Sequence, residues 1–277
     1  MKEILLIVVA IIPVFLIGFY IYKKDREKES QRLLTKLFLL GILSCIPTIL
    51  LSLILDYIIG SNEPKNLVLL FFYVLIKIAL VEELCKWFMV YKAAYNDREF
   101  NHIYDAIVYS VFVSLGFAFF ENVFYALDGG IKIGLLRGIT AVPCHAINAI
   151  LMGNYLGLAK QNDIKGNKKE VIIYKILSII VPTLAHGIYD FCIYAEIKTF
   201  LIIFLVYILL AFTYAIIKVR KVSKIEKNID DFEEQEEETK KLEEHIDNYY
   251  ENHCPVCGNI INKEEKKCPR CGADLFR

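Results

Sequence analysis

Leu67-Val-Leu-Leu-Phe-Phe-Tyr-Val-Leu-Ile-Lys77-Ile-Ala-Leu-Val-Glu82-Glu83-Leu-Cys-Lys86-Trp-Phe-Met-Val-Tyr91 decides how the chain is read. The run is apolar and longer than the roughly 20 residues that span a bilayer. It nevertheless carries two adjacent carboxylates and a lysine one turn later. On insertion scales each charge at the centre of a membrane helix costs about 2.5–3.5 kcal/mol. A plain anchor would place Leu at these positions. Ionisable groups held at that cost mark a functional site inside a helix bundle.

Two further segments repeat the pattern, Phe117-Ala-Phe-Phe-Glu121-Asn122 and His186-Gly-Ile-Tyr-Asp190. Each pairs residues four apart on one helix face. His145 and Asn148 add a polar pair in the run between them. Lys86 is four residues from Glu82 and three from Glu83, so it can pair with either. One ammonium cannot neutralise two carboxylates. Either one carboxyl is protonated, or a further positive group or metal approaches. A lone membrane histidine or asparagine is commonly interhelical glue. Glu-Glu, Glu, His and His-x-x-x-Asp together make an inventory for activating a nucleophile.

The surrounding chain fits this placement. Of 277 residues 56% are hydrophobic, above the 45–50% of typical soluble domains. Seven spans can be drawn, at about 4–22, 33–59, 67–91, 103–127, 132–159, 171–194 and 199–217. The expected fold class is therefore an all-α polytopic membrane protein, a bundle of about seven transmembrane helices over residues 1–219. The first run lacks a small-residue cleavage site and reads as a retained helix. Loop 23–36 carries Lys23, Lys24, Arg26, Lys28, Arg32 and Lys36, and Lys160, Lys165, Lys168 and Lys169 follow span five. The opposite loops carry one lysine each. The positive-inside rule then puts the N-terminus outside and the C-terminus in the cytoplasm. Net charge is zero, which gives no reason to expect a nucleic-acid partner.

Beyond the spans, residues 220–251 are rich in Glu and Lys and read as a charged helical linker. Residues 252–277 contain Cys254-Pro-Val-Cys257-Gly and Cys268-Pro-Arg-Cys271-Gly. Two Cys-x-x-Cys-Gly knuckles supply four thiolates, the donor set of a structural zinc ribbon. Cys45, Cys85, Cys144 and Cys192 stand singly in apolar runs, as small hydrophobes do.

The motifs at Glu82-Glu83-x-x-Lys86, Phe117-x-x-x-Glu121-Asn122, His145 and His186-x-x-x-Asp190, in that order on separate spans, resemble the PrsW family of intramembrane proteases. That family is similar in turn to the CAAX prenyl-protease and Abi group, whose members have His where this chain has Glu121. The resemblance covers about residues 65–195 and leaves the zinc ribbon as an appendage. It implies hydrolysis of a peptide bond in a membrane-protein substrate, such as a single-span regulatory protein. Glu82, with Glu83 or Glu121, would hold and deprotonate a water. His145 or His186 would stabilise the oxyanion or carry a proton, Asp190 would orient His186, and Lys86 and Asn122 would support the site. The resemblance leaves a catalytic zinc open, and the lack of His-Glu-x-x-His disfavours it. The ribbon could meet a cytoplasmic partner. The competing readings are a proton-coupled transporter and a catalytically silent scaffold.

The orientation is checked with reporter fusions in intact cells. A reporter after Lys224 is expected in the cytoplasm, and one in the segment around Lys65 outside. The reverse pattern overturns the assignment.

Overall fold

The structure, a computed structural model, describes residues 2–261 and 266–275. Among these the chain is helical apart from two isolated β-bridges near the C-terminus. The helices are α1 (Lys2–Lys24), α2 (Gln31–Ile59), α3 (Leu67–Tyr73), α4 (Val81–Ala94), α5 (Ile103–Ile139), α6 (Ala141–Ile164), α7 (Lys168–Tyr194) and α8 (Lys198–Asn252). Among the described residues four stretches are long and apolar enough to cross a membrane: Gln31–Ile59, Ile103–Ile164, Lys168–Tyr194 and Ile202–Ile225. The second comprises two helices, α5 and α6. Residues 1–224 and 225–277 form two compact units.

In the first unit α5 is the central post. It packs against α1, α2, α4 and α6, while α7 covers α6 and the α3–α4 region. Its residues from Tyr104 to Ala118 are nearly all buried. The outer helix α2 instead turns Leu39, Leu43, Leu50 and Leu53 outward. A surface of that kind suits hydrocarbon better than water.

Small residues set how closely the helices approach. A Cβ added at Gly41 of α2 would collide with the Val113 carbonyl oxygen, and one at Gly116 of α5 with the Phe38 carbonyl oxygen. The two backbones therefore cross in direct contact, an arrangement typical of membrane helix pairs.

Two departures from regular helix shape the region of the polar motifs. Between α3 and α4 the backbone widens to π-helical geometry over Val74–Leu80. Such segments are short and recur near functional sites. Further on, α5 breaks at Gly130 (φ 79°, ψ −177°), a conformation that glycine adopts without a Cβ penalty. The nine residues after it, 131–139, form a short arm before α6 begins at Ala141. The span expected to start at 132 thus begins nine residues later, because Gly130 ends the preceding axis.

Gly116→Val should lower the thermal unfolding midpoint clearly, since overpacking a tight contact costs about 1–3 kcal/mol. Gly18→Ala, whose new methyl would sit 3.4 Å from Leu115 Cδ1, should shift it little. Equal midpoints for the two variants in detergent solution would contradict the α2–α5 crossing.

Candidate functional site

The first turns of α4 carry Glu82 and Glu83 side by side with Lys86 one turn on. Lys86 is fully buried, and its ammonium has three N–H donors and no acceptor. They go to Glu82 Oε2 at 3.1 Å, Glu83 Oε1 at 3.0 Å and His145 Nδ1 at 3.1 Å. The ring of Phe117 lies beneath, its centroid 4.0 Å from Nζ. All three donors are therefore used.

That contact fixes the tautomer of His145. Nδ1 must accept from the ammonium, so the ring proton sits on Nε2. Nε2 donates to Glu121 Oε2 at 2.8 Å. Ser114 Oγ on α5 donates to the His145 carbonyl at 2.9 Å and ties α6 to α5 at this level. Glu121 Oε2 also takes Arg137 Nη2 at 2.8 Å, and the Arg137 guanidinium lies 3.8 Å from the centroid of the Tyr125 ring.

His186 enters from α7. A Cβ on the next residue, Gly187, would clash with Leu75 of the π-helical segment. The missing side chain lets α7 come close enough for His186 Nδ1 to donate to Glu83 Oε1 at 2.9 Å. His186 Nε2 faces Asp190 Oδ2 at 3.3 Å and Glu82 Oε2 at 3.9 Å. Asp190 Oδ2 has no aligned hydrogen-bond partner among the described residues. The aligned bond that orients His186 is thus the one to Glu83, with Asp190 a close charge beside the outer nitrogen. The His145 and His186 rings meet edge to face, with centroids 5.2 Å apart.

These side chains surround a cavity of about 300 Å³ whose walls include Glu82, Glu121, Arg137, His145, His186 and Asp190. Glu83 and Lys86 stand behind it and are completely buried. The two adjacent carboxylates are thereby separated in role. The Glu82 side chain keeps 11% of its surface, and that of Glu83 keeps none. All six residues expected to do chemistry converge, together with Lys86, although they come from α4, α5, α6 and α7. Asn122 does not line the cavity; its Nδ2 donates to the Gly134 carbonyl at 3.3 Å. Asn148 packs on Cys144, and Lys77 pairs with Asp56 away from the site.

Arg137 is a site residue that the sequence motifs do not single out. Inside a span drawn from 132 it is one more polar residue of a helix. The signal lies in Gly129-Gly130, which can end a helix and return the next residues toward the preceding turn.

Among the described residues two groups of side chains can be tested as metal sites. Ligand atoms of Glu82, Glu83, His145 and His186 lie within 4.8 Å of one another. Three of these four residues already bind the Lys86 ammonium, and His186 Nδ1 is on Glu83. A divalent ion does not fit this set while Lys86 holds it, since the ammonium is itself a cation bonded to those ligands. The four thiolates of Cys254, Cys257, Cys268 and Cys271 also lie within 4.8 Å. The two knuckles repeat each other: Gly258 N to Cys254 O and Gly272 N to Cys268 O are both 2.9 Å. Four sulfurs in such a cluster suit a tetrahedral soft metal.

The chain is similar to known proteins over most of its length. The profile described as PrsW family intramembrane metalloprotease matches residues 29–217. The protein named Protease PrsW of Oceanobacillus iheyensis is 38% identical over 181 residues, 65% of this chain and 79% of that one. Its namesake in Halalkalibacterium halodurans is 32% identical over 225 residues, 80% of this chain and 99% of that one. The one in Bacillus subtilis is 33% identical over 178 residues, 64% and 77% of the respective chains. No solved structure matches. With its four motifs gathered around one cavity and its sequence matched over most of its length, the chain belongs to the PrsW family of intramembrane metalloproteases.

Proposed function

We propose that this intramembrane protease cuts its substrate in the cavity between α4, α5, α6 and α7, with Glu82 as the residue that holds and activates water. The observation that carries this is the contrast between neighbours: Glu82 lines the cavity and Glu83 does not. Water bound to Glu82 attacks the carbonyl carbon of the scissile bond, and Glu82 takes a proton from it. When the C–N bond breaks, the leaving amine needs a proton. Glu82 can return the one it took, or His186 can hand over the proton on Nε2, which sits between Asp190 and Glu82. Glu83 and Lys86 hold the base and His186 in place. His145 transmits the position of Lys86 to Glu121.

No step here passes through a metal, since Glu82, Glu83 and His145 are held by Lys86. The family name describes metalloproteases, so the question is decided by metal content rather than by name. In our reading zinc belongs to a ribbon at residues 252–277, joined by the charged linker 220–251 to a membrane domain of seven spans at 1–219. With the N-terminus outside, the cavity faces the outer leaflet, because its walls come from the loop-side ends of α5, α6 and α7 that adjoin 128–140 and 195–197. The substrate is then a membrane protein cut near that surface, such as a single-span regulator, and the ribbon is free to meet a cytoplasmic partner.

The activity test co-expresses the chain with tagged single-span membrane proteins and follows fragment release. Glu82→Gln should cost about 10²–10⁴-fold in rate at unchanged abundance. Glu83→Gln should lower the unfolding midpoint as well as the rate, because breaking a buried ion pair costs about 3–5 kcal/mol. Full cutting by Glu82→Gln would refute the mechanism.

Elemental analysis of purified protein should give about one zinc per chain, as four thiolates bind one ion. Cys254→Ser with Cys257→Ser should abolish it, and Glu83→Gln should leave it unchanged. Zinc that survives the cysteine changes but disappears with Glu83→Gln would place the metal at the cavity instead.

A further inference from the structure

We propose that Arg137 supplies the positive charge that holds the carbonyl oxygen of the scissile bond as it becomes an oxyanion. This rests on the protease reading above. Hydrolysis puts a negative charge on that oxygen, and a preorganised donor aimed at it is commonly a large term in such reactions. The donors around the cavity can be counted. Lys86 has all three N–H groups on Glu82, Glu83 and His145, and it stands behind the cavity wall. The His145 ring has one nitrogen on Lys86 and the other on Glu121. His186 has Nδ1 on Glu83, while its Nε2 faces the two carboxylates that manage protons.

Arg137 is the only Lys or Arg among the described residues that line the cavity. Its guanidinium carries five N–H donors. Glu121 takes one of them at Nη2, and Nε has no partner among the described residues. Tyr125, Tyr189 and Tyr194 also reach the cavity, but their hydroxyls are neutral, and a charged donor makes the stronger bond to an oxyanion.

The fold holds this arginine in place from three directions. Gly130 turns the 131–139 arm back toward α5. Asn122 binds the Gly134 carbonyl of the arm, and the adjacent Glu121 binds Arg137 itself. Tyr125 lies one turn beyond Glu121 and stacks on the guanidinium. The Glu121-Asn122 pair therefore serves to dock the arm, and docking is what delivers a rigid cation to the cavity. In the reaction the water oxygen bonds to the carbonyl carbon, the carbonyl π pair moves onto oxygen against Arg137, and Glu82 receives the water proton. Collapse of that intermediate breaks the C–N bond and releases the protonated amine.

The test uses purified full-length protein in liposomes with a quenched-fluorescent peptide copied from the cleavage region of the co-expressed reporter. Wild type and Glu82→Gln run alongside, so a failure of the protease reading shows as no cutting by wild type or as full cutting by Glu82→Gln. Arg137→Gln should lower kcat about 10²–10³-fold with KM within about threefold, at a normal unfolding midpoint. Arg137→Lys should recover part of kcat, since its ammonium still reaches the cavity. A peptidyl trifluoromethyl ketone of the same sequence, which hydrates to a tetrahedral adduct, should lose affinity for Arg137→Gln in proportion to kcat/KM. Wild-type kcat in Arg137→Gln, a loss confined to KM, or no recovery in a folded Arg137→Lys would each overturn the assignment. If Arg137→Gln fails to fold, Arg137→Lys decides: its kcat and its affinity for the ketone should fall together, and a fall in kcat with ketone binding unchanged would overturn the assignment.

Discussion

The Lys86 ammonium is the contact on which the site depends. It is wholly buried and gives one hydrogen bond each to Glu82, Glu83 and His145. An ion pair at this depth is weak evidence for stability, because desolvation offsets most of the attraction. Its value is geometric. Three fixed donors set the position of Glu82, of Glu83 with its bond to His186, and of the lone pair on His145. From His145 the order passes to Glu121 and from there to Arg137. Removing the ammonium would leave two carboxylates adjacent in a low-dielectric environment with only His186 to offset them. The charge problem posed by the sequence is met from other helices: both nitrogens of His186 face carboxylates beside the Glu pair, and Arg137 binds Glu121.

Such a chain of side chains from four helices requires backbones that approach closely, and glycines permit this at two levels. Gly41 and Gly116 bring α2 and α5 into backbone contact, which seats the segment carrying Phe117 and Glu121. Gly187 brings α7 against the π-helical segment, which puts His186 on Glu83. Neither contact involves a catalytic atom. Each would still shift the site if a methyl group were added, because packed interiors transmit displacement rather than absorb it.

What was legible in the sequence was local. Glu82, Glu83 and Lys86 announce each other by helical spacing, and so do His186 and Asp190. The cost of charge in an apolar run flags them without any partner being known. What was hidden was pairing between helices. Spacing alone makes Asp190 the natural orienter of His186, but the aligned bond comes from Glu83, 103 positions earlier in the chain. The π-helical widening at Val74–Leu80 and the absent side chain at Gly187 decide that pairing, and neither is visible as a periodicity. Arg137 was hidden for the same reason, since a span drawn through 132–159 ignores the one backbone dihedral at Gly130 that turns the arm.

The surroundings of the cavity also separate hydrolysis from proton transport, the rival use of buried Glu, His and Asp. A transporter must connect its ionisable groups to both faces of the membrane in turn. Here α4, α5 and α6 run away from the cavity into a core that includes Val90, Ala94, Ile107, Val111, Ile150 and Leu156, all nearly or completely buried. The polar groups lie toward the opposite ends of these helices and the end of α7, where Arg137, Tyr194 and Asp190 line the cavity. Glu83 and Lys86 close its floor with no surface of their own. A polar pocket with Glu82, Glu121 and Asp190 on its walls, Arg137 as its one Lys or Arg among the described residues and an apolar core beyond its floor can hold a water against a single peptide bond. The same closure that makes it unsuited to conduction limits the water around Glu82, as the proposed hydrolysis requires.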